Sequence, residues 1–386
     1  MQYTKLKNIN EYISKSINPM KSPDVMFEVY SVPNYETGHP EYLMGNEIAS
    51  NKMLVRKNDI LLCKINPRIN RVWIVRDESQ YENIASSEWI VVRNSIYNPE
   101  FLAWYFRTLR FKKLMVSEVT GIGGSLTRAQ PKAVAEYPVP GLSRNKQDEI
   151  VLRLNKIYDV IRMKKQQLEE LDKLIKARFV EMFGDVKYSF ERWGGKTFNE
   201  VTINFDSRRK PVKDADRKRM QGIYPYYGAT GIVDYVNDYR QEGDFLLISE
   251  DGKALELRNK PIAFLASGKI WVNNHAHVQQ CTDECNLIYL MYHINYMDIS
   301  LWVTGIDQKK LNRANLDSIP IALPPIELQE QFAAFVNQVN KSKFGKGFDK
   351  FTFLQNETIL LHISNSRHTV SCIELVALSS FNTYSR

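Results

Sequence analysis

The amino-acid sequence predicts an α+β fold in which two β-rich domains are separated by long α-helices that form an antiparallel coiled-coil spacer. Three observations support this prediction. A set of short motifs occurs twice along the 386 residues, a long heptad pattern lies between the two copies, and a second amphipathic segment follows the second copy. Because the repeat is much longer than the roughly 20–50 residues of solenoid repeats, it indicates duplicated domains.

Composition and charge limit the classes of protein that fit this chain. The hydrophobic content of 44% and the aromatic content of 11% are those of a globular protein. The four cysteines are scattered and suggest no disulfide framework. No apolar run is long enough for a membrane span and no signal-peptide pattern is present, so a cytoplasmic protein is expected. The net charge of +8 permits a polyanionic partner such as nucleic acid without requiring one.

The repeat is clearest around the tetrapeptide VTGI, which occupies residues 119–122 and 303–306. In both copies a polar stretch, the pattern L-x-R-A and a proline-containing, strand-like segment follow in the same order. A helix with a glutamine near its start comes next, and Gln147 and Gln331 are matched on that basis. Upstream, turn dipeptides at Asn58 and Gly243 each lead into an apolar run, which predicts a turn followed by a buried strand.

The segment between the copies predicts one long helix. Apolar residues alternate at spacings of four and three, which is the seam of a heptad repeat and calls for a partner helix. The apolar seam residues are Ile150, Leu154, Ile157, Ile161, Leu168, Leu171, Ile175 and Met182. Gly184 is placed to end the helix. The amphipathic segment beginning at residue 326 is the expected antiparallel partner, although a helix packed only on its own domain is the simpler alternative.

These patterns divide the chain into five parts. The predicted boundaries are 1–142 for the first β-rich domain, 143–185 for the central helix, 186–325 for the second β-rich domain, 326–344 for a shortened second helix and 345–386 for an atypical tail. The tail lacks helical periodicity and looks unrelated to the rest, as a rearranged junction would.

Catalytic and metal sites are weakly indicated. Asp244, Asp251 and Lys253 loosely fit the acidic pattern of a metal-dependent nuclease, which is common by chance. A second set can be drawn as a zinc site but matches no standard spacing; its members are His275, His277, Cys281 and Cys285. The sequence contains neither a G-x-x-x-x-G-K-[ST] phosphate loop nor an Asn-Pro-Pro-aromatic motif. The predicted metal content is therefore none.

Several stretches resemble the specificity subunits of type I restriction-modification systems. They are IYPYYGATGIVDYV at 223–236, GDFLLISEDG at 243–252, IWVNNHAHV at 270–278 and the helical KLIKARFVEMFGD that ends at residue 185. The resemblance implies that each β-rich domain is a target-recognition domain that reads one half of a bipartite DNA site. It further implies that the helices dock methyltransferase subunits, two in number, and that restriction or motor subunits join them. S-adenosylmethionine, ATP and Mg²⁺ would be used by those partners, and this chain would be non-catalytic and carry no cofactor.

Candidate DNA contacts follow from chemistry and position. Turn glycines let the backbone approach a phosphate, basic side chains pair with phosphates, and carboxylates accept from the cytosine amino group. In the first domain the candidates are Lys64, Asn66, Arg68, Arg71, Ser125, Thr127 and Arg128. In the second domain they are Tyr227, Gly228, Thr230, Gly231, Ser249, Glu250, Asp251, Lys269, Asn273, Asn274, His275, His277, Lys309, Lys310 and Arg313. A basic triplet at 208–210 fits a solvated loop as well as a DNA contact, and tyrosines in strands are often simply half-buried.

Three other hypotheses stay open at this point. The chain could be a nuclease or single-chain restriction enzyme, an inactive or partial specificity subunit that needs another chain, or a coiled-coil scaffold unrelated to DNA. Metal-dependent cleavage by the chain alone would favour the first, and the unusual tail would suit the second. DNA binding without sequence preference would favour the third.

Overall fold

The computed structural model of the protein describes residues 2–120 and 127–344. They divide into two compact units, one up to residue 162 and one from residue 163 on. Each unit combines β-sheets with packed helices, which confirms the predicted α+β class. No helix among the described residues is long and apolar enough to cross a membrane.

The first unit contains a five-stranded sheet of order β2-β5-β8-β3-β4, a three-stranded sheet of order β7-β6-β9 and two strand pairs, β1-β12 and β10-β11. Its strands are β1 (Tyr3–Lys5), β2 (Ser16–Ile17), β3 (Met26–Tyr30), β4 (Glu41–Met44), β5 (Lys52–Leu54), β6 (Ile60–Cys63), β7 (Val72–Ile74), β8 (Glu82–Ala85), β9 (Trp89–Val92), β10 (Val119–Thr120), β11 (Arg128–Ala129) and β12 (Pro138–Pro140). Its short helices are α1 (Pro99–Arg107), α2 (Leu109–Ser117) and α3 (Pro131–Val134).

The long helix α4 spans Arg144–Phe183 and confirms the helix predicted from the heptad pattern. It ends where Gly184 adopts a φ of 86°, a left-handed conformation that glycine reaches without steric cost. Seam residues near both ends are buried and those in the middle are half-buried. The buried ones are Ile150, Leu154, Ile175 and Met182; the half-buried ones are Ile157, Ile161, Leu168 and Leu171.

The second unit contains a six-stranded sheet of order β14-β19-β17-β18-β15-β16 and the strand pair β13-β20. Its strands are β13 (Gly195–Thr197), β14 (Thr202–Asn204), β15 (Gln221–Gly228), β16 (Gly231–Val236), β17 (Gln241–Ser249), β18 (Ala263–Val272), β19 (Ala276–Cys281) and β20 (Pro320–Ala322). Its helices are α5 (Val186–Trp193), α6 (Phe198–Val201), α7 (Asp214–Arg217), α8 (Lys253–Leu257), α9 (Leu287–Tyr296), α10 (Arg313–Asp317) and α11 (Ile326–Phe344).

Helix α11 packs antiparallel on the last turns of α4, within the second unit. The Phe332 ring lies 5.3 Å from that of Phe179 and 5.5 Å from that of Phe183. Farther along α11, Lys343 pairs with Asp172, which precedes those phenylalanines in α4. As residue numbers increase along α11, the residues that they contact in α4 have decreasing numbers, so the two helices run antiparallel. This confirms the predicted antiparallel helix pair.

The two units repeat one architecture around a central buried strand. Successive side chains of β6 alternate between two cores, with Ile60 and Leu62 in one and Leu61 and Cys63 in the other. The strand β17 does the same, with Leu246 and Ile248 in one core and Phe245 and Leu247 in the other. Both strands lie between two antiparallel neighbours, β7 and β9 in one unit and β18 and β19 in the other.

The ends of the repeat also correspond. In each unit a proline-containing strand pairs antiparallel with a strand near the start of that unit, β12 with β1 and β20 with β13. A buried glutamine follows each pair. Gln147 Oε1 accepts from the Asn98 amide at 2.8 Å, and Gln329 Oε1 accepts from the Asn286 amide at 2.9 Å. The counterpart of Gln147 is therefore Gln329, and the sequence match to Gln331 was wrong.

Candidate nucleic-acid interface

In the second unit, polar side chains converge where strand β17 ends. Glu250 and Asp251 follow its last residue, Ser249, which pairs with Ala276 at the start of β19. The Glu250 amide donates to the carbonyl of His275 at 2.9 Å. This pairing brings the predicted contacts Glu250, Asp251 and His275 together, and the His275 Nδ1 lies 2.8 Å from Asp251 Oδ2.

His277 is the buried centre of this cluster, with 1% of its surface exposed. Its Nδ1 lies 2.6 Å from Asp206 Oδ2, and its Nε2 lies 2.9 Å from the carbonyl oxygen of Leu311. A carboxylate and a carbonyl can only accept hydrogen bonds. Both ring nitrogens of His277 therefore face acceptors, an arrangement that suits an imidazole ring with a proton on each nitrogen.

Arg209 completes a charge network around the same point. Its Nη1 lies 2.6 Å from Glu250 Oε2, and its Nη2 lies 3.3 Å from Asp206 Oδ2. Lys310 Nζ lies 3.1 Å from the other oxygen of Glu250. We call the set formed by Asp206, Arg209, Glu250, His277 and Lys310 the charge network.

The two carboxyl groups of the charge network have pKa values below their ordinary range. Burial by itself would raise the pKa of Asp206, but its hydrogen bond from His277, the charge of His277 and the Val278 amide lower it. Burial would also raise the pKa of Glu250, and hydrogen bonds from Arg209 and Lys310 outweigh that effect. Both groups are therefore ionised near neutral pH and hold the cations around them.

Residues 304–310, which begin within the second VTGI, form a turn attached to the charge network. The amides of Thr304 and Lys310 each donate to the other's carbonyl at 2.8 Å, and the Leu311 amide donates to the Glu250 carbonyl at 2.8 Å. Gly305 has a φ of 96°, and a Cβ there would lie 2.1 Å from the Gln308 carbonyl oxygen. Only glycine fits at that position. The 304–310 turn is thus tightly closed and fixed at its base.

The other predicted contacts of the second unit divide by exposure. Thr230 and Asn274 are exposed and Gly231 is half-buried, whereas the remaining four residues are buried. Those buried residues are Tyr227, Gly228, Ser249 and Asn273. Ser249 donates to the Ala229 carbonyl, for example, and Asn273 Oδ1 accepts from the His275 amide at 2.8 Å. Their side chains are not offered to a ligand in this structure.

Three predicted basic contacts differ in their surroundings. Lys269 lies opposite Glu242 near the start of β17, away from the charge network, with its ammonium 4.6 Å from the centre of the Tyr239 ring. Lys309 Nζ donates to the Gly305 carbonyl at 3.0 Å and so belongs to the 304–310 turn. Arg313 pairs with Asp317, and its Nη1 lies 4.0 Å from Asp206 at the edge of the charge network.

The first unit brings several of its predicted contacts together in a similar way. The Asn66 amide donates to the Thr127 carbonyl, and the Ala129 amide donates to the Lys64 carbonyl, both at 2.8 Å. Arg128 pairs with Glu88 at 3.3 Å. Arg68 is exposed and lies two residues after Asn66. The Nε of the mostly buried Arg71 lies 3.6 Å from Glu36. Ser125 lies outside the described residues.

The enzymatic patterns do not assemble in the described part of the chain. Asp244 lies in the first half of β17 and contacts Ser267, whereas Asp251 lies beyond the end of that strand beside His275. Cys281 and Cys285 line one cavity of about 540 Å³, to which neither His275 nor His277 contributes. No group of three or more His, Cys, Asp or Glu residues among residues 2–120 and 127–344 could hold a metal ion.

Two members of the charge network, Asp206 and Arg209, are absent from the sequence-predicted contacts. They lie in and directly after a short 3-10 helix (Asp206–Arg208) that follows β14, far in sequence from Glu250 and His277, which they contact. The only signal for them was the basic triplet at 208–210, in which Arg209 is 17% exposed at its side chain and Arg208 is exposed.

Comparison with known proteins finds a family model and relatives that are similar to part of this chain. Residues 191–362 match the family described as type I restriction modification DNA specificity domain. A putative type I restriction enzyme specificity subunit of Haemophilus influenzae is 39% identical over 142 residues, 37% of this chain and 36% of the relative. The type I restriction enzyme EcoprrI specificity subunit of Escherichia coli is 24% identical over 165 residues, 43% of this chain and 38% of the relative. The alignments thus span little more than a third of these relatives.

Solved structures share the fold over nearly the whole chain. The type I restriction-modification S subunit from M. genitalium is 14% identical and covers 96% of this chain and 94% of its own, with a TM-score of 0.55. A chain from a structure on complex assembly of a type I R-M system is 15% identical and covers 97% and 96%, with a TM-score of 0.52. At such low identity, the likeness concerns the fold alone.

Proposed function

We propose that this chain, whose residues 191–362 match the family described as type I restriction modification DNA specificity domain, is a DNA-specificity subunit in which each unit reads one half of a bipartite double-stranded site. The resemblance found in the sequence is confirmed for this region by the family match, and two curated specificity subunits are similar to parts of the chain. Members of the family are specificity subunits without catalytic activity of their own. The reading of DNA by both units and the choice of partners form the proposal.

The observation that carries the proposal is the coupling of the charge network to the 304–310 turn. Two cations of the turn, Lys309 and Lys310, stand beside a backbone that is fixed by hydrogen bonds to the end of β17. Lysines at such a rigid position suit phosphate contacts, which set the register of a protein on the duplex. In the first unit, the backbone hydrogen bonds between residues 64–66 and 127–129 fix a polar surface in a similar way.

The helices offer a surface for the partner subunits of the proposed complex. Helix α4 exposes apolar side chains along its length, including Leu152, Tyr158 and Leu174. Such residues on a long helix favour a helical partner. We assign this role to two methyltransferase subunits, with restriction subunits joining them. S-adenosylmethionine, ATP and Mg²⁺ would act in those partners, and this chain would need no cofactor.

Mapping of methylated adenines in the host genome, with and without this gene, tests the proposal. We expect a split motif with a constant gap between its halves that disappears when the gene is deleted and returns on complementation. A methylation pattern that is unchanged by the deletion would contradict the proposal. Complementation with a variant in which one unit is exchanged for that of another specificity subunit should change only one half of the motif.

Replacing Lys309 and Lys310 together by alanine should weaken DNA binding and make it less dependent on salt. Each lost phosphate contact lowers the slope of log affinity against log salt by about 0.9, so a decrease of about 2 is expected. The measurement is a salt titration of binding by the complex with its methyltransferase. The control is Lys218→Ala with Lys260→Ala, which removes two exposed lysines outside the turn. An equal change of slope in both double variants would contradict the assignment of Lys309 and Lys310 as phosphate contacts.

A further inference from the structure

The tip of the 304–310 turn carries an isoleucine with almost no protein contact. Ile306 is 95% exposed. A single exposed apolar residue is common and says little alone. Here, however, the sequence holds isoleucine at the same place in both copies of VTGI, as Ile122 and Ile306. The glycine before Ile306 has a structural role, because only glycine fits that backbone, whereas Ile306 packs into no core of the second unit.

The backbone holds Ile306 away from the core. The turn is closed by the reciprocal hydrogen bonds of Thr304 and Lys310, and its base is fixed to Glu250 and Gly252. The Gly252 amide donates to the Lys309 carbonyl at 3.3 Å, and Lys309 Nζ donates back to the Gly305 carbonyl at 3.0 Å. An apolar side chain on such a frame cannot be buried by a small movement of a loose loop. Its exposed surface is therefore available to a ligand.

The surroundings of Ile306 indicate what that ligand offers. Cations at the base of the turn, Lys309 and Lys310, suit the phosphates on either side of a groove. Between those phosphates, the 5-methyl group of thymine is the apolar feature that the major groove displays. Gln308, which is exposed two residues farther on, carries the amide that suits adenine N6 and N7 on the same base pair. An apolar and an amide side chain close together thus match the major-groove edge of an A·T pair.

We propose that Ile306 is a specificity-determining residue that contacts the 5-methyl group of a thymine in the half-site read by the second unit. The inference rests on the proposed DNA-reading function and goes beyond it by assigning one side chain to one chemical group. It also gives a role to the last residue of the second VTGI, in which Val303 packs on the core, Thr304 closes the turn and Gly305 fits the backbone.

The test replaces thymine by deoxyuridine, which pairs identically but lacks the methyl group. The complex with the methyltransferase is titrated with duplexes that carry the mapped target, with each thymine of the half-site substituted in turn. Wild-type protein should lose affinity by about fourfold at one position, the effect of one buried methyl group. Ile306→Ala should bind thymine and deoxyuridine duplexes equally at that position and keep the wild-type melting temperature, because the side chain supports no core.

Leu301→Ala is the matched control, because Leu301 is 87% exposed and lies outside the 304–310 turn. It should keep the wild-type preference for thymine. A preference for thymine that persists in Ile306→Ala would overturn the inference, as would a wild type that is indifferent to deoxyuridine at every position. A uniform loss of affinity for all duplexes in Ile306→Ala would overturn it as well. In each of these cases specific binding remains, whereas wild-type protein without sequence preference would instead overturn the proposed function.

Discussion

Replacing Phe332 by alanine is expected to lower the free energy of unfolding of the second unit by about 3–5 kcal/mol, the usual cost of removing a buried phenylalanine ring. Phe332 is completely buried. Its ring contacts those of Phe179, Phe183 and Tyr292, and so joins helix α11 to both α4 and α9. The loss of this ring leaves a cavity between three helices, and surrounding side chains can close it only in part.

Urea unfolding followed by hydrogen exchange of peptides distinguishes the two units. Peptides from α11 and from residues 171–183 should lose protection together in Phe332→Ala, whereas peptides from β6 in the first unit should be unchanged. Phe190→Ala is the control, because the same residue type in the same unit is 44% exposed there and should cost no more than about 1 kcal/mol. Equal losses in the two variants would show that α11 does not depend on this aromatic contact.

The helix pair could be predicted because its signals are local. The spacing of Ile150 through Met182 fixes a helical period, and Gly184 marks the end of the helix. The apolar face of 326–344 then supplies the antiparallel partner. A heptad pattern does not show which turns of the helix are buried by a partner. Ile157 and Ile161 belong to the predicted seam, for example, but are only half-buried.

Only the structure shows which glutamine of the second repeat corresponds to Gln147. Two glutamines, Gln329 and Gln331, lie near the start of α11, and a gapped comparison cannot choose between them. Residues two apart in a helix point in very different directions, since successive residues turn by about 100°. Only Gln329 reaches the Asn286 amide and the Pro324 carbonyl, as Gln147 reaches Asn98 and Leu142.

The candidate site could be predicted only in part for the same reason. Glu250, His275 and His277 were among the predicted contacts because they adjoin recognisable strands. Asp206 and Arg209 were missed because they join the site through contacts across more than 40 residues of sequence, such as the one between Arg209 and Glu250. The significance of Ile306 was also missed, because sequence alone cannot show whether an isoleucine after a turn glycine is buried or exposed.

Replacing His277 by alanine is expected to remove about 3–5 kcal/mol from the stability of the second unit and to weaken DNA binding through the 304–310 turn. The variant removes the shortest contact of the Asp206 carboxylate, which is 11% exposed at its side chain, and leaves it the Val278 amide and the longer ion pairs with Arg209 and Arg313. It also leaves the Leu311 carbonyl without its donor. Removing one member of a buried ion pair has a large cost, because the remaining charge is still desolvated. His275→Ala is the control, since His275 is 48% exposed beside Asp251 and should change stability by less than about 1 kcal/mol.

The same variant should change the response to acid in a defined direction. The pKa of Asp206 lies below its ordinary value of 3.8, because the hydrogen bond from His277 and its other donors outweigh the effect of burial. A carboxyl group with a lowered pKa stabilises the fold above its unfolded pKa and loses that contribution as the pH falls through its folded pKa. Without His277 the folded pKa of Asp206 rises toward or above 3.8, so His277→Ala should unfold at a higher pH than wild-type protein in an acid titration followed by circular dichroism. A double-mutant cycle with Asp206→Asn then measures the pair itself. An interaction energy near zero would mean that His277 fills space in the sheet rather than holding the charge network that supports the turn.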